Sequence, residues 1–473
     1  MSDAWNDLVH GERWRSSRIL WVEDDVEYRW EQVGELASAV EEAIREHGPA
    51  RVVRIRSGTK LGCFAGQLGA WRAGCVAVVD DGNLGPGEID RVRPDLALDV
   101  SGGRSPAVGP AERSPERLPP ERVPEEVVAV NFTSGSTGSR KAVAVTRGNL
   151  LALFGCRGLD VPVSDTPTAG SFATPTYDGW WFDTWRTAAD GGTVVCLPHV
   201  NEDVFAWPEL AEKYRIDRLL LPAAVIATVV GAVPACLAGV PWVFSGGEQF
   251  QVSTYRQARQ AGLTNRFVNL YGPTEATFAT HRYDLPADFT GGTVPIGTPL
   301  DGCEQSLYEL ADRPAGAREL VIAGPLVCLG YIDGGVLADR FRSDGGPASF
   351  RTGDVVRVDD GGNLVFTGRL DHEIKVNGIR VDAAALEHRV TSLPDVLDCR
   401  VVQGERHTVA FVRAGAGKRT DPAVRSRIES VVKRSSPAIG VWLVDRFPTK
   451  PGGKVDIPSL MDQYRATEKV GEK

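Results

Sequence analysis

A short loop rich in hydroxyl groups and glycine contains the residues best suited to chemistry. Residues 133–141 have the sequence TSGSTGSRK and follow the apolar segment VVAVNF, which is typical of a strand. Hydroxyl groups, backbone N–H groups between two glycines and a lysine are what a bound triphosphate needs. The loop is not a Walker loop, because its glycines lie three apart rather than five and Ala142 follows Lys141. The pattern predicts a phosphate-binding loop, with an ordinary serine-glycine surface loop as the alternative.

Four further segments follow this loop in a fixed order. They are NLYGPTE (269–275), RTGD (351–354), GRLD (368–371) and PTKPGGKVD (448–456). With the loop, they resemble the motifs of the adenylate-forming superfamily, which comprises nonribosomal peptide synthetase adenylation domains, acyl-coenzyme A synthetases and luciferases. The loop departs from the family's final Pro-Lys-Gly, since Arg140 and Ala142 replace the first and last of these residues. Five ordered matches favour the resemblance over separate turn and surface roles for each segment.

The resemblance implies a fold and a reaction. The fold is α/β (α+β): a large N-terminal lobe of layered sheets and helices over residues 1–367, and a small mobile α+β lid domain over residues 368–473, with a hinge near Asp371. The reaction is ATP-dependent activation of a carboxylic acid as its acyl-AMP, with release of pyrophosphate, followed by transfer to a thiol. The sequence patterns also favour an α/β domain with a mostly parallel sheet, because strand and helix patterns alternate. They are RVVRIRSG (strand), FAGQLGAWRAG (helix) and CVAVVD (strand).

Roles for individual residues follow from the resemblance alone. It implies that Lys454, Glu275 and Thr274 are catalytic, with Lys454 between the attacking carboxylate and the α-phosphate and Glu275 as a ligand of Mg²⁺. It implies that Tyr271 stacks on adenine and that Asp354 accepts from the ribose hydroxyls. The implied ATP-binding residues are Thr133, Ser134, Gly135, Ser136, Thr137, Gly138, Lys141, Gly247, Glu248, Asn269, Tyr271, Gly272, Asp354 and Arg369. The expected cofactors are ATP and Mg²⁺.

The acid is suggested by one aspartate. The segment TPTYDGW (174–180) lies where amino-acid-activating relatives have Phe-Asp, whose carboxylate pairs with the substrate ammonium. Such a pair, about 4 Å apart, gains about 4 kcal/mol at an effective dielectric of about 20. Asp178 therefore favours an α-amino acid as the substrate. The alternative is that Asp178 is an exposed loop residue without a role in binding. The remaining pocket positions are almost wholly apolar and predict a nonpolar side chain, aliphatic or aromatic. They are Gly179, Phe182, Leu220, Phe244, Gly246, Leu270, Phe278 and Ala279.

Composition limits the partners and the compartment. The 473 residues are enough for more than one domain. The formal net charge of -9 argues against a nucleic-acid partner. The eight cysteines are scattered without a C-x-x-C pair, which is typical of buried thiols in a reducing compartment. The N-terminal segment lacks an apolar signal region, and no apolar run is long enough to span a membrane. We therefore expect a cytoplasmic enzyme without membrane or nucleic-acid partners.

The resemblance leaves more than one acceptor of the acyl group open. No phosphopantetheine-serine signature follows Lys454, which predicts a free-standing enzyme that serves a separate phosphopantetheinylated carrier protein. One alternative is an acyl- or aryl-acid coenzyme A ligase, which shares the first half-reaction. Another is a non-catalytic nucleotide-binding relative, against which the retained Lys454, Asp354 and Glu275 argue.

Three local patterns complete the predictions. Thr146 is the expected start of a helix. The segment between Ser101 and Glu126, crowded with Pro, Arg, Glu, Gly and Ser, predicts a surface loop. Residues 355–369 have a turn, DDGGN, between two alternating segments and predict a β-hairpin.

Overall fold

The computed structural model describes most of the chain. The described residues are 2–80, 82, 84–100, 106–110, 123–133, 140–162, 166–310, 313, 316–341, 347–370, 373–376, 379–404, 408–415, 417–450 and 455–471. Lys454, Asp371 and the loop residues 134–138, all singled out above, lie outside them.

The regular elements alternate between strands and helices through the first half of the chain. In chain order the strands are β1 (Ile19–Glu23), β2 (Val26–Arg29), β3 (Val52–Arg56), β4 (Val76–Asp80), β5 (Leu96–Asp99), β6 (Ala107–Pro110), β7 (Val127–Thr133), β8 (Lys141–Thr146), β9 (Thr168–Ser171), β10 (Thr193–Cys196), β11 (Arg218–Pro222), β12 (Trp242–Gly246), β13 (Arg266–Tyr271), β14 (His281–Asp284), β15 (Thr298–Pro299), β16 (Glu304–Glu309), β17 (Arg318–Ala323), β18 (Gly330–Asp333), β19 (Val336–Arg340), β20 (Ser349–Val358), β21 (Leu364–Arg369), β22 (Glu373–Val376), β23 (Ile379–Asp382), β24 (Val396–Gln403), β25 (Thr408–Ala414) and β26 (Ile439–Val444). The α-helices are α1 (Ser2–His10), α2 (Trp30–His47), α3 (Lys60–Arg72), α4 (Pro86–Val92), α5 (Arg147–Phe154), α6 (Thr187–Ala189), α7 (Val200–Asp203), α8 (Trp207–Tyr214), α9 (Ala223–Ala232), α10 (Val252–Gln260), α11 (Ala383–Thr391), α12 (Pro422–Ser435) and α13 (Ile457–Gly471). A π-helix, Trp181–Arg186, leads directly into α6.

The largest sheet is parallel through its centre. Its order is β15-β14-β13-β12-β11-β9-β10-β1-β2. The strands from β13 to β1 pair in parallel, whereas β14, β15 and β2 pair antiparallel at the edges. Strand β12 has four of its five residues buried, as expected of a strand covered on both faces. The predicted α/β fold with mostly parallel strands is confirmed, and parallel strands end together at one edge, where residues from distant segments meet.

A second sheet has the order β19-β18-β8-β7-β4-β3-β5-β6. Its centre is parallel, from β5 through β3 and β4 to β7. The predicted loop between Ser101 and Glu126 is wrong at Ala107–Pro110, since β6 pairs antiparallel with β5. A short strand that ends in proline is acceptable there because a sheet edge needs pairing on one side and little apolar burial.

The other two local predictions are confirmed. Strands β20 and β21 form the predicted antiparallel hairpin, which joins β16 and β17 in a four-stranded sheet. Thr146 caps α5, because its Oγ1 accepts from the Asn149 N–H at 3.1 Å while Asn149 Oδ1 accepts from the Thr146 N–H at 2.9 Å.

The C-terminal residues form a smaller sheet of β24, β25 and β26 with helices on both faces. One face packs Val412 and Ala410 against Ile428 of α12 and Leu386 of α11. The other packs Phe411 with Leu460 of α13. The division into residues 1–367 and 368–473 remains a prediction. Within the described residues, no helix has both the length and the apolar character that crossing a membrane requires.

A cluster of tryptophans holds the π-helix in place. The Phe64 ring stacks on Trp185 with centroids 4.1 Å apart, and Trp71 lies 4.3 Å from Trp185. Gln67, on α3, is buried, and its Oε1 accepts from Trp180 Nε1 and Trp185 Nε1, each at 2.8 Å. One amide oxygen therefore satisfies two buried indole donors.

Replacement of that amide tests the cluster. Gln67→Leu leaves two buried N–H donors without an acceptor, so we expect the free energy of unfolding to fall by about 2–4 kcal/mol. Urea denaturation measures the change, and Gln260→Leu, at an exposed position of α10, is the matched control. A loss no greater than that of the control would contradict this account.

Candidate active site

A cavity of about 1100 Å³ lies where the central parallel strands end. Residues 246–249 begin at the last residue of β12, residues 271–275 begin at the last residue of β13, and both segments line the cavity. The hairpin β20–β21 closes another side. The predicted site residues that line the cavity are Thr133, Lys141, Asp178, Gly246, Gly247, Glu248, Asn269, Leu270, Tyr271, Gly272, Thr274, Glu275, Phe278, Ala279, Asp354 and Arg369. A cleft at the carboxyl ends of the strands is the usual ligand site of an open α/β sheet.

The ends of the phosphate-loop segment meet at this cavity. Thr133 is the last residue of β7 and Lys141 is the first of β8, and the two pair across the antiparallel ladder. Both line the cavity. The loop residues between them lie outside the described residues, so their predicted contacts with phosphate stay a prediction.

Asp178 is oriented by a hydroxyl from the next motif. Thr274 Oγ1 donates to Asp178 Oδ2 at 2.5 Å. The Asp178 carbonyl also accepts from the Trp181 N–H at 3.0 Å, so the aspartate begins the turn that leads into the π-helix. The alternative of an exposed loop aspartate does not fit, since Asp178 is partly buried in the cavity wall.

Glu275 is held by a tyrosine that the motif analysis missed. Tyr331 OH donates to Glu275 Oε1 at 2.6 Å, and Lys141 Nζ lies 4.6 Å from the centre of the Tyr331 ring. Burial and the neighbouring Glu275 carboxylate raise the pKa of Tyr331, so the phenol stays a donor. Nothing in the sequence around Tyr331 indicates this contact, because β18 reaches Glu275 only after pairing with β8.

Glu275 can serve as a protein ligand for a hard cation. The described residues contain no group of three or more His, Cys, Asp or Glu that would hold a metal ion by themselves. Mg²⁺ commonly binds through one or two carboxylates together with substrate phosphates and water, so a single carboxylate in the cavity fits that mode.

Asp354 lies between a phenol and a guanidinium. Tyr271 OH donates to Asp354 Oδ2, and Arg369 NH1 donates to Asp354 Oδ1 at 2.7 Å. Burial, followed by the Asp354 charge, raises the pKa of Tyr271 well above its usual value. The predicted adenine and ribose residues therefore lie side by side, although their motifs are far apart in the chain.

Glu248 connects the cavity with the C-terminal sheet. Its Oε1 accepts from the Val455 N–H at 3.4 Å, and its Oε2 lies 3.9 Å from Arg400 NH2 of β24. Val455 is the residue next to Lys454 along the chain. The described part of the C-terminal segment thus reaches the wall of the cavity.

Asp183 supports the segment that contains Asp178. Its buried carboxylate accepts from the Phe172 and Ala173 N–H groups at 3.0 and 2.9 Å, just after β9. Burial raises the pKa of Asp183 to about 6, opposed by the Lys60 charge and by these hydrogen bonds. No sequence motif indicates the role of Asp183, because that role depends on the π-helix turning the side chain back toward β9.

The remaining predicted pocket residues lie behind the cavity wall. Gly179, Phe182, Leu220 and Phe244 are absent from its lining, but Phe182 stacks on Phe278, which is part of the wall. These four residues therefore form a second layer, behind the residues that line the cavity.

Comparison with known proteins agrees with this geometry. Residues 91–332 match the model of the family described as AMP-binding enzyme. The chain belongs to this family. This membership confirms the predicted resemblance and the assignment as an adenylate-forming ligase. Enzymes of this family use ATP.

A relative supports the assignment, and two solved structures share the fold. CymA of Salinispora arenicola, described as a probable non-canonical nonribosomal peptide synthetase, is 30% identical over an alignment of 485 positions that covers 97% of this chain and 6% of CymA. The chain therefore spans a small part of that relative. NpsA of Klebsiella oxytoca, solved with 3-hydroxyanthranilyl-AMSN, has a TM-score of 0.77 at 20% identity and covers 98% of both chains. PA1221, a protein containing adenylation and PCP domains, has a TM-score of 0.65 at 23% identity, covering 98% of this chain and 84% of PA1221.

The raised pKa of Asp183 predicts a pH-dependent stability. Because its folded pKa is about 6 against an ordinary 3.8, the carboxyl contributes stability below about pH 4, and that contribution is lost as the pH rises through 6. We expect Asp183→Asn to lack this loss. Between pH 4 and 7 the free energy of unfolding of the unmodified protein should fall relative to the variant by on the order of 3 kcal/mol.

Urea denaturation across this pH range measures the difference. Asp288→Asn, at an exposed position, is the control and should follow the unmodified protein. A constant difference between Asp183→Asn and the unmodified protein at every pH would contradict the prediction.

Proposed function

We propose that the chain activates a nonpolar amino acid as its aminoacyl-AMP and then transfers the aminoacyl group to the phosphopantetheine thiol of a separate carrier protein. The observation that supports this most is the position of Asp178, whose carboxylate lies in the same cavity as Glu275 and Asp354. An acid without an ammonium group would leave that carboxylate without a cationic partner from the substrate.

The first step joins two anions. A carboxylate oxygen of the amino acid attacks the α-phosphorus of ATP, a new P–O bond forms, and the bond to pyrophosphate breaks. Positioned positive charge is therefore the main requirement. Lys141, at the end of the phosphate-loop segment, lines the cavity and is one such charge.

Lys454 is the second proposed charge. Its neighbour Val455 hydrogen-bonds to Glu248, and Glu248 lines the cavity, which favours a site for Lys454 beside the reacting groups. Glu275, held by Tyr331, would hold Mg²⁺. The bound cation would neutralise charge on the triphosphate.

The carrier protein is proposed as the acceptor. In the second step the thiol sulfur attacks the acyl carbon, a thioester forms, and AMP leaves. Support comes from the relative CymA, a nonribosomal peptide synthetase, and from the joined adenylation and PCP domains of PA1221.

Replacement of Lys454 tests the adenylation step. Lys454→Ala should lower the rate of amino-acid-dependent exchange of pyrophosphate into ATP by about 10²- to 10³-fold, because one charge-stabilising donor is lost. Lys450→Ala, in the same segment, is the control and should retain exchange. Normal exchange by Lys454→Ala would contradict the proposed role.

Replacement of Asp178 tests the kind of acid. Asp178→Asn should lower kcat/KM for the preferred amino acid by about 10²- to 10³-fold, since the ion pair with the ammonium is removed. The exchange assay is run with the twenty amino acids and a panel of simple aliphatic and aryl acids, with Asp288→Asn as the control.

Two results of this assay would count against the proposal. A response to non-amino acids alone would exclude amino-acid activation. Release of AMP accelerated by coenzyme A, and not by a phosphopantetheinylated carrier domain, would favour the coenzyme A ligase alternative.

A further inference from the structure

A buried asparagine, Asn131, lies between the two substrate-binding segments of the proposed site. It belongs to β7, two residues before Thr133, which is the last residue of that strand. Strand β7 is part of the second sheet, whereas the segment that contains Asp178 follows β9 of the largest sheet. Asn131 is 2% exposed and is absent from the lining of the cavity. Its side chain therefore contacts protein where the two sheets meet.

Both polar atoms of the Asn131 amide are used, one on each side of Asp178 along the chain. Trp181 Nε1 donates to Asn131 Oδ1 at 2.6 Å, and Asn131 Nδ2 donates to the Thr176 carbonyl at 3.4 Å. An indole N–H can only donate, so it fixes the amide oxygen toward Trp181 and leaves the NH2 group to face Thr176. The amide thus holds both ends of the turn that presents Asp178.

Both partners of the contact between Asn131 and Trp181 are themselves held. The backbone of β7 pairs with β8 at Asn131 and Val143, and the Val128 carbonyl of β7 accepts from Trp71 Nε1 at 2.8 Å. The Trp71 ring also stacks on Trp181, with centroids 6.3 Å apart and an interplanar angle of 27°. A buried amide with satisfied partners and a fixed backbone gives a rigid connection between two segments.

This connection joins the two places from which the reacting groups are positioned. In the proposed reaction, Asp178 places the amino acid through its ammonium group. Thr133 and Lys141 line the cavity at the ends of β7 and β8, where the triphosphate is proposed to bind. Adenylation needs the carboxylate oxygen close to the α-phosphorus and in line with it, and small displacements lower the rate steeply.

We propose that Asn131 is a positioning residue that fixes the separation between the amino-acid site and the phosphate site. This inference rests on the proposed function, in which Asp178 binds the substrate ammonium. It adds a residue that touches neither substrate and acts through Trp181 and Thr176. Its effect is therefore expected on the rate of the chemical step rather than on the binding of either substrate.

Replacement of Asn131 tests the inference in the pyrophosphate exchange assay with the preferred amino acid. Asn131→Leu keeps a similar side-chain volume and removes both hydrogen bonds. We expect kcat to fall by at least about 10-fold, because the reacting groups are no longer held at the productive separation. KM for the amino acid and for ATP should each change by less than about threefold, since each substrate keeps its own contacts.

A double variant separates positioning from a loss of stability. Asn131→Leu leaves the Trp181 N–H buried without an acceptor, and Trp181→Phe in the same chain removes that donor. The double variant should therefore regain most of the stability that Asn131→Leu loses, measured as the midpoint of urea denaturation. Its kcat should stay at least about 10-fold below that of the unmodified protein. If Asn131→Leu alone does not fold, the double variant provides the comparison of kcat.

Asn265 offers a matched control in another part of the core. It is 4% exposed, and its Nδ2 donates to the Leu237 and Val240 carbonyls at 2.6 and 2.5 Å, just before β13. Asn265→Leu removes a buried asparagine with two carbonyl acceptors at a place that does not line the cavity. It should lower stability and leave kcat unchanged.

The outcomes distinguish this inference from the proposed function. An unchanged kcat in folded Asn131→Leu would overturn the inference and leave amino-acid activation standing. Recovery of kcat by the double variant would also overturn it, because the loss would then come from the buried indole donor. A change in KM alone would overturn it as well. Activation of no amino acid by the unmodified protein would instead refute the proposed function.

Discussion

Asp178, Glu275 and Asp354 line one cavity, and the site depends on keeping each of these carboxylates in a fixed orientation. They carry the same charge, so their use in binding depends on the direction in which each one presents its oxygens. Each one accepts a hydrogen bond from a neighbouring hydroxyl, from Thr274, Tyr331 and Tyr271 respectively. A neutral hydroxyl donor fixes the direction of a carboxylate without cancelling its charge. Asp354 differs from the other two, because Arg369 also donates to its Oδ1 at 2.7 Å.

The orientation of Asp178 depends in turn on the buried segment that follows it. The π-helix places Asp183 against the backbone after β9 and places Phe182 behind Phe278. π-helical turns are rare and frequently occur at functional sites. Here the extra residue per turn lets one short segment support both the carboxylate and the apolar wall. The tryptophans that hold the segment are satisfied by Gln67, so the support extends into the core.

Glu248 connects two parts of the molecule. It follows β12 at the cavity, and it contacts both Val455 and Arg400. Its carboxylate was expected to bind ATP, and the structure gives it protein partners at the same wall. This contact brings the segment next to Lys454 to the wall of the cavity.

The sequence by itself determined the order of the motifs, the main strands and helices, the cap at Thr146 and the family. These features depend on local composition and spacing, which are visible in the sequence without the fold. Tertiary structure alone decided that Tyr331 meets Glu275, that Asp183 supports the Asp178 segment, and that Ala107–Pro110 form an edge strand. Each of these contacts joins segments that come together only when sheets and helices pack. Side-chain size and direction within that packing leave no periodic signal in the sequence.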